Sequence, residues 1–294
     1  MAAVTSTQLR LEPASFPVLL EHPARYSDLD PSRRIGRDAL VRWFEDARVA
    51  VELGRFGADL GTRRTQIRTM LASVRVDVLA PLRVADQYRI GLGVTHIGTT
   101  SFAYTYAVFS GDECVATGES VSVLVTSDGP SPLPDDVRAT LAELRVTGEP
   151  SPRAPRDLLV REAYPFRLDI RTRFGDIDTN RHVNNVALAG WYLDALAELH
   201  LDVLGYPSGG PLDGLQPSSL AVQYLAEVHY PGIHQLRVGV LDLDDDTVGY
   251  ACGLFDGPRC IGLAEARGAH NAPDGDGDPV QLAARLEPFR MRKV

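Results

Sequence analysis

The stretch RFGDIDTNRHVNNVALAGWYLDAL, residues 173–196, decides the fold, because the chain contains it twice. Residues 25–48 read RYSDLDPSRRIGRDALVRWFEDAR, and the two segments align without a gap at an offset of 148 residues. Nine of the 24 positions are identical: Arg25/Arg173, Asp28/Asp176, Asp30/Asp178, Arg33/Arg181, Ala39/Ala187, Leu40/Leu188, Trp43/Trp191, Asp46/Asp194 and Ala47/Ala195. Further on, FSGDECVATG (109–118) parallels FDGPRCIGLA (255–264) at an offset of 146. A period this long is not a solenoid repeat. It indicates two copies of one domain. The join is expected near VTGEPSPRAPRD (146–157), which is rich in Pro and charge, giving domains 1–146 and 147–294.

Each half shows the same order of elements. In the second, a strand at 164–172 precedes the polar loop, and a helix of about five turns begins at Asn185. A Gly- and Pro-rich loop follows at 206–219, then strand-like segments at 220–230, 235–243, 247–255 and 259–268, separated by YPG, DDD and DGP turns. The first half repeats this, with strands near 70–79, 87–96, 101–110 and 113–126, and LPDDVRATLAELRV (133–146) closes it as a helix. One helix followed by an antiparallel meander is an α+β pattern. The second-half helix is apolar on several faces (Val186, Leu188, Trp191, Leu196, Leu199), which predicts that the sheet wraps it.

Composition narrows the function. The net charge of −9 argues against nucleic acid as a partner. Cys114, Cys252 and Cys260 are odd in number and form no CxxC pair, which fits a reducing compartment. The N-terminus has no basic segment followed by an apolar core, and no apolar run reaches about 18 residues, so a cytoplasmic protein without membrane insertion is expected. The histidines lack ligand-like spacing and no metal or cofactor is expected. The DGDGD run at 274–278 lacks the remainder of a calcium loop and reads as a plain loop. Trp43 and Trp191 read as core, as do Cys114 and Cys260. Asp176 reads as a helix N-cap, and Asn184 and Asn185 as either caps or pocket supports.

The loop GDIDTNRHVNNVALAGW resembles the active-site segment of hotdog thioesterases, in particular the acyl-acyl carrier protein thioesterases, which carry two hotdog units in one chain. Asp178, Asn180, His182, Val183, Asn184, Asn185, Val186 and Trp191 match that family's D-x-N-x-H-V-N-N-V…W signature. Glu227, in LAVQYLAEVHYPG, falls where the family places an acidic site residue. Val228 stands where it often has Cys, so no thiol nucleophile is at hand there. The resemblance implies two tandem hotdog domains forming an intrachain pseudo-dimer. The first would shape the acyl pocket and the second would do the chemistry, because Arg34 and Gly36 replace the His and Asn of the motif.

The reaction implied is hydrolysis of an acyl-carrier-protein or acyl-CoA thioester. Asp178 would be general base or nucleophile, and Asn180 would orient the water or the carbonyl. His182 would pass protons, and Glu227 would be a second base or a partner for His182. The N–H groups of Val183, Asn184 and Asn185, at a helix start with its positive dipole end, would form the oxyanion hole. Arg33, Arg34 and Arg37 would meet the phosphate of the phosphopantetheine arm. Pairing of two such chains as a homodimer stays open. The alternatives are a non-catalytic acyl-binding or regulatory hotdog protein and, less well matched, an enoyl-thioester hydratase.

Overall fold

A computed structural model describes residues 11–56, 68–148, 155–204, 217–244, 247–269 and 284–292. The DGDGD run and most of the 206–219 loop lie outside the described residues. The chain divides into two compact units. One comprises residues 1–27 and 42–152, the other residues 28–41 and 153–294. The first polar loop and the first turn of the helix that follows it thus group with the C-terminal unit, so the division is not a single cut of the chain.

In the N-terminal unit, β1 (Val18–Pro23) pairs with β3 (Gln87–Ile97). β3 pairs with β4 (Ser101–Ser110), β4 with β5 (Glu113–Thr126), and β5 with β2 (Arg68–Val78), all antiparallel. A two-residue β6 (Gly129–Pro130) adds to β5. Helix α1 (Arg37–Phe56) packs on this sheet. Trp43 meets Tyr88 with ring centroids 5.3 Å apart, and Phe44 stacks on Tyr106 at 4.5 Å. Gly118 is required there, because a Cβ on it would collide with the Phe44 ring. Helix α2 (Asp135–Glu143) ends in a backbone exchange with β3, Val94 N–H to Leu144 O and Val146 N–H to Val94 O.

The C-terminal unit repeats this topology. β7 (Phe166–Arg171) pairs with β9 (Ile233–Leu243), β9 with β10 (Thr247–Asp256), β10 with β11 (Arg259–Ala269), and β11 with β8 (Ser219–Tyr224). Helix α3 (Asn185–Leu204) buries Leu188, Trp191, Tyr192, Leu196 and Leu199. Its apolar surface predicts this burial, and each unit is a hotdog: one long helix against a curled antiparallel sheet. Both tryptophans are in the core, at 1% exposure each.

One strand differs from the sequence reading. β8 stops at Tyr224 and does not run on to residue 230. The N–H groups of Leu225 and Ala226 both donate to Ile261 O, which ends the ladder, and Val228 O then turns to accept the Val183 N–H at 2.7 Å. The strand is cut short because Leu225 and Ala226 share one carbonyl of β11, which breaks the ladder's register, and Val228 bonds to the helix-start loop instead of to β11.

Candidate active site

The two polar loops have the same backbone. In the second, Asp178 N–H donates to His182 O (3.0 Å), Arg181 N–H to Asp178 O (3.1 Å) and Asn184 N–H to Asp176 O (2.8 Å). In the first, Asp30 N–H donates to Arg34 O (2.8 Å), Arg33 N–H to Asp30 O (3.0 Å) and Gly36 N–H to Asp28 O (2.9 Å). Single antiparallel bridges join Ile177 to Val183 and Leu29 to Ile35. Arg181 and Arg33 occupy the left-handed region, with φ of 69° and 64°, where a non-glycine residue persists only when its surroundings fix it. Here the flanking hydrogen bonds fix it in both copies. The loop is therefore a structural device, and what differs between copies is the side chains mounted on it.

On the second loop, Asp178 Oδ1 accepts the Asn180 N–H at 2.8 Å, and Oδ2 accepts Asn180 Nδ2–H at 3.3 Å. His182 Nδ1 lies 3.6 Å from Asp178 Oδ2 and 3.4 Å from Val183 O. The Asp178 and His182 side chains are 17% and 16% exposed, enough to meet a ligand while remaining held. The structure thus brings Asp178, Asn180 and His182 into one cluster. On the first loop, Asp30 Oδ1 accepts the N–H and Oγ–H of Ser32 (2.8 and 2.6 Å) and the Arg34 N–H (3.2 Å). The anchor is the same, without an imidazole or amide beside it.

Asn184 is the N-cap of α3: its Oδ1 accepts the Val186 N–H at 2.7 Å, and its carbonyl accepts the Leu188 N–H. The cap expected of Asp176 is elsewhere. That buried carboxylate instead binds Arg173, through the backbone N–H at 3.2 Å, Nε at 3.1 Å and an ion pair at 3.0 Å, and so closes the short turn before the loop. Arg173, in turn, is held firmly protonated by Asp176.

The three N–H groups expected at the oxyanion position are not equivalent. Val183 N–H goes to Val228 O and Asn184 N–H to Asp176 O, so both are already committed. Asn185 N–H finds no acceptor among the described residues, and the Asn185 carbonyl accepts the Tyr224 hydroxyl at 3.0 Å. Tyr224 is a site residue that sequence reading missed, having no signal beyond a tyrosine at the end of a strand.

Glu227 sits one residue before Val228, with its Oε2 3.7 Å from His229 Nε2. The two stand on the wall of a cleft of about 610 Å³ whose lining also includes His234, Asp256 and Arg259. Asp178, Asn180 and His182 are not among its lining residues. Val228 is buried. The cysteines offer no thiolate: burial pushes Cys114 and Cys260 up to about 11, and Cys252 higher still.

The three arginines of the first loop separate. Arg37 is buried, its Nε donates to Pro217 O, and burial lowers its pKa against the opposing pull of Asp30. It is bound into the C-terminal unit and is not a surface anion ligand. Arg33 and Arg34 are exposed.

Two hotdog units, one carrying this Asp-Asn-His loop, define a thioesterase-like protein. Residues 24–141 match the family model of the thioesterase-like superfamily, and residues 161–238 match that of the acyl-ACP thioesterase C-terminal domain. The chain is a double-hotdog thioester hydrolase whose second half is similar to the C-terminal domain of acyl-ACP thioesterases. No curated protein sequence matches it. Its fold is shared with a 12:0-ACP thioesterase from Umbellularia californica (17% identity, covering 85% of this chain and 95% of that one, TM-score 0.68). It is also shared with an acyl-ACP thioesterase from Bacteroides thetaiotaomicron VPI-5482 (13% identity, 85% and 96%, TM-score 0.63). Among the described residues no helix is long and apolar enough to cross a membrane.

Proposed function

We propose that the C-terminal unit performs the hydrolysis, on acyl groups carried by the phosphopantetheine arm of acyl carrier protein or coenzyme A. The N-terminal unit takes the acyl group. The observation that carries the catalytic part is the contrast between two loops of identical backbone, of which only the second holds a carboxylate between an amide and an imidazole. Asp178 is the general base. Both of its oxygens are engaged by Asn180, which holds the carboxylate in place and favours proton abstraction over direct attack on the carbonyl. Water adds to the thioester carbon as its proton passes to Asp178. The oxyanion is met by the Asn185 N–H at the positive end of α3. The tetrahedral intermediate then collapses with cleavage of the C–S bond, and the proton returns to the leaving sulfur. His182 holds Asp178 and relays that proton, and Glu227 supports the same helix start from the strand side through its neighbour Val228. Arg33 and Arg34 meet the arm's phosphate.

The test is a thiol-release assay over acyl-CoA and acyl carrier protein substrates, followed by a single turnover in ¹⁸O-water. A general base gives one ¹⁸O in the first acid released and none in the protein. Label arriving in Asp178 would replace the base with a nucleophile, and absence of thiol release from every substrate would leave only a binding role.

A further inference from the structure

The interior of the N-terminal unit is unlike that of its C-terminal copy. Between α1 and the sheet, Arg48 stands 3.7 Å from Glu45 on one side and 3.7 Å from Glu52 on the other, and its side chain is only 10% exposed. Facing them from β4 and β5 are Tyr104, Tyr106, Ser120 and Ser122, all buried. Tyr106 and Ser120 satisfy each other at 2.7 Å. The Tyr104 hydroxyl, Ser122 Oγ and Glu52 Oε1 are buried with no hydrogen-bond partner among the described residues. Tyr104 and Glu52 lie close enough for each to shift the other's pKa through a side-chain hydrogen bond as well as through charge, although the Tyr104 hydroxyl and Glu52 Oε1 do not meet in good hydrogen-bond geometry.

The fold does not demand this polarity. The repeat pairs Glu45 with Leu193, Arg48 with Leu196, Tyr106 with Cys252, Ser120 with Ala266 and Ser122 with Gly268. It pairs Glu52 with His200 and Tyr104 with Tyr250, and there the two side chains close on each other, His200 Nε2 to Tyr250 Oη at 2.7 Å. The same architecture is thus filled mainly with apolar residues and one internally bonded pair in the C-terminal unit, where Trp191 Nε1 and His200 Nδ1 are the buried atoms without a partner among the described residues of that interior. In the N-terminal unit it holds three charges and three orphaned polar atoms. A buried polar atom without a partner is costly, and natural interiors rarely keep several together. We propose that the interior of the N-terminal unit is a binding site for a hydroxyl group on the acyl chain, the hydroxyl donating to Glu52 and accepting from Tyr104 or Ser122. The proposal rests on the reading that this unit takes the acyl group of a thioester substrate. A hydroxyl fits and a carboxylate does not: two carboxylates already face one guanidinium, whereas a hydroxyl supplies both a donor and an acceptor. Burial pushes the Glu52 carboxyl up against the pull of Arg48, and it pushes the Tyr104 phenol up as well, so neither group gives up its proton more readily for being there.

The experiment uses the full chain and acyl-CoA substrates of one length, unsubstituted or with a single hydroxyl moved along the chain, and reads kcat/KM. At least one hydroxylated isomer is expected to exceed the unsubstituted chain by about tenfold or more, since a site built for a hydroxyl rejects the analogue lacking it. Tyr104→Phe and Ser122→Ala are each expected to shrink that ratio severalfold. Both variants remove an unpaired buried hydroxyl, so neither is expected to lower the Tm. Equal kcat/KM for every isomer, or a Tm that falls in both variants because the hydroxyls were bonded within the protein, would overturn the inference. If no substrate is hydrolysed, the reading of the catalytic unit fails. Calorimetry with free hydroxy acids and their unsubstituted counterparts then decides the binding site by itself: preferential binding of a hydroxy acid supports it, and equal or absent binding overturns it.

Discussion

Replacing Asp178 with Asn separates catalysis from structure, because the amide keeps the shape of the carboxylate and half of its hydrogen bonding. The carbonyl oxygen of the introduced amide can still accept the Asn180 N–H now made at 2.8 Å, so the loop keeps its turn. The new NH₂ would face Asn180 Nδ2 and His182 Nδ1, losing the 3.3 Å acceptor contact and the 3.6 Å pairing. These contacts are at a partly exposed site, so their loss costs about 0.5–1 kcal/mol of stability. Losing the base costs about 10²–10⁴ in kcat, or about 3–5 kcal/mol of barrier. The two effects differ enough to be told apart by pairing a thiol-release assay with thermal denaturation. Asp30→Asn is the internal control. Asp30 Oδ1 anchors Ser32 and Arg34 on the same backbone, so the stability loss is expected to match while kcat stays near wild type. The reasoning fails if Asp178→Asn keeps kcat within about threefold of wild type, or if the Asp30 variant is equally impaired.

Asn184→Ala removes the acceptor for the Val186 N–H and is expected to cost about 1 kcal/mol of stability, read as a shift of the urea midpoint. His200 is buried against Tyr250 and its pKa is pushed down to about 4 from an ordinary 6.5. The unfolded chain therefore takes up a proton that the folded chain refuses. This contribution is fully present above about pH 6.5 and is lost as pH falls toward 4, on the order of 3 kcal/mol at the limit. Urea titrations at pH 4.5 and 7 measure it, and His200→Leu should flatten the slope even though it leaves Tyr250 unpaired. Replacing Arg33 and Arg34 together with Ala is expected to raise KM at low salt with little change in kcat, the difference fading at high salt. An unchanged KM for both coenzyme A and carrier-protein substrates would remove them from phosphate binding. Glu227→Gln is expected to cost less in kcat than Asp178→Asn, because Glu227 stands beside His229 and lines a separate cleft.

The sequence by itself determined the two-unit α+β architecture, since 24 aligned positions at one offset repeat a polar loop and a helix, and the same pattern of strands surrounds each copy. It also singled out the second loop as the candidate for the chemistry, because His182 and Asn184 have Arg34 and Gly36 as counterparts. These are local properties: periodicity, turn residues and side-chain identity at matched positions. Tertiary structure decided which hydrogen-bonding groups were already committed. Val183 and Asn184 look like oxyanion donors until Val228 and Asp176 present their carbonyls, and those carbonyls arrive from a strand end and from an earlier turn. Arg37 looks like a phosphate ligand until the fold buries it against Pro217, 180 residues further along the chain. The polar interior of the N-terminal unit was equally out of reach, because Arg48, Glu52, Tyr104 and Ser122 read separately as surface charges and strand residues. Only the packing of α1 on β4 and β5 encloses them together, and only enclosure makes an unpaired hydroxyl costly.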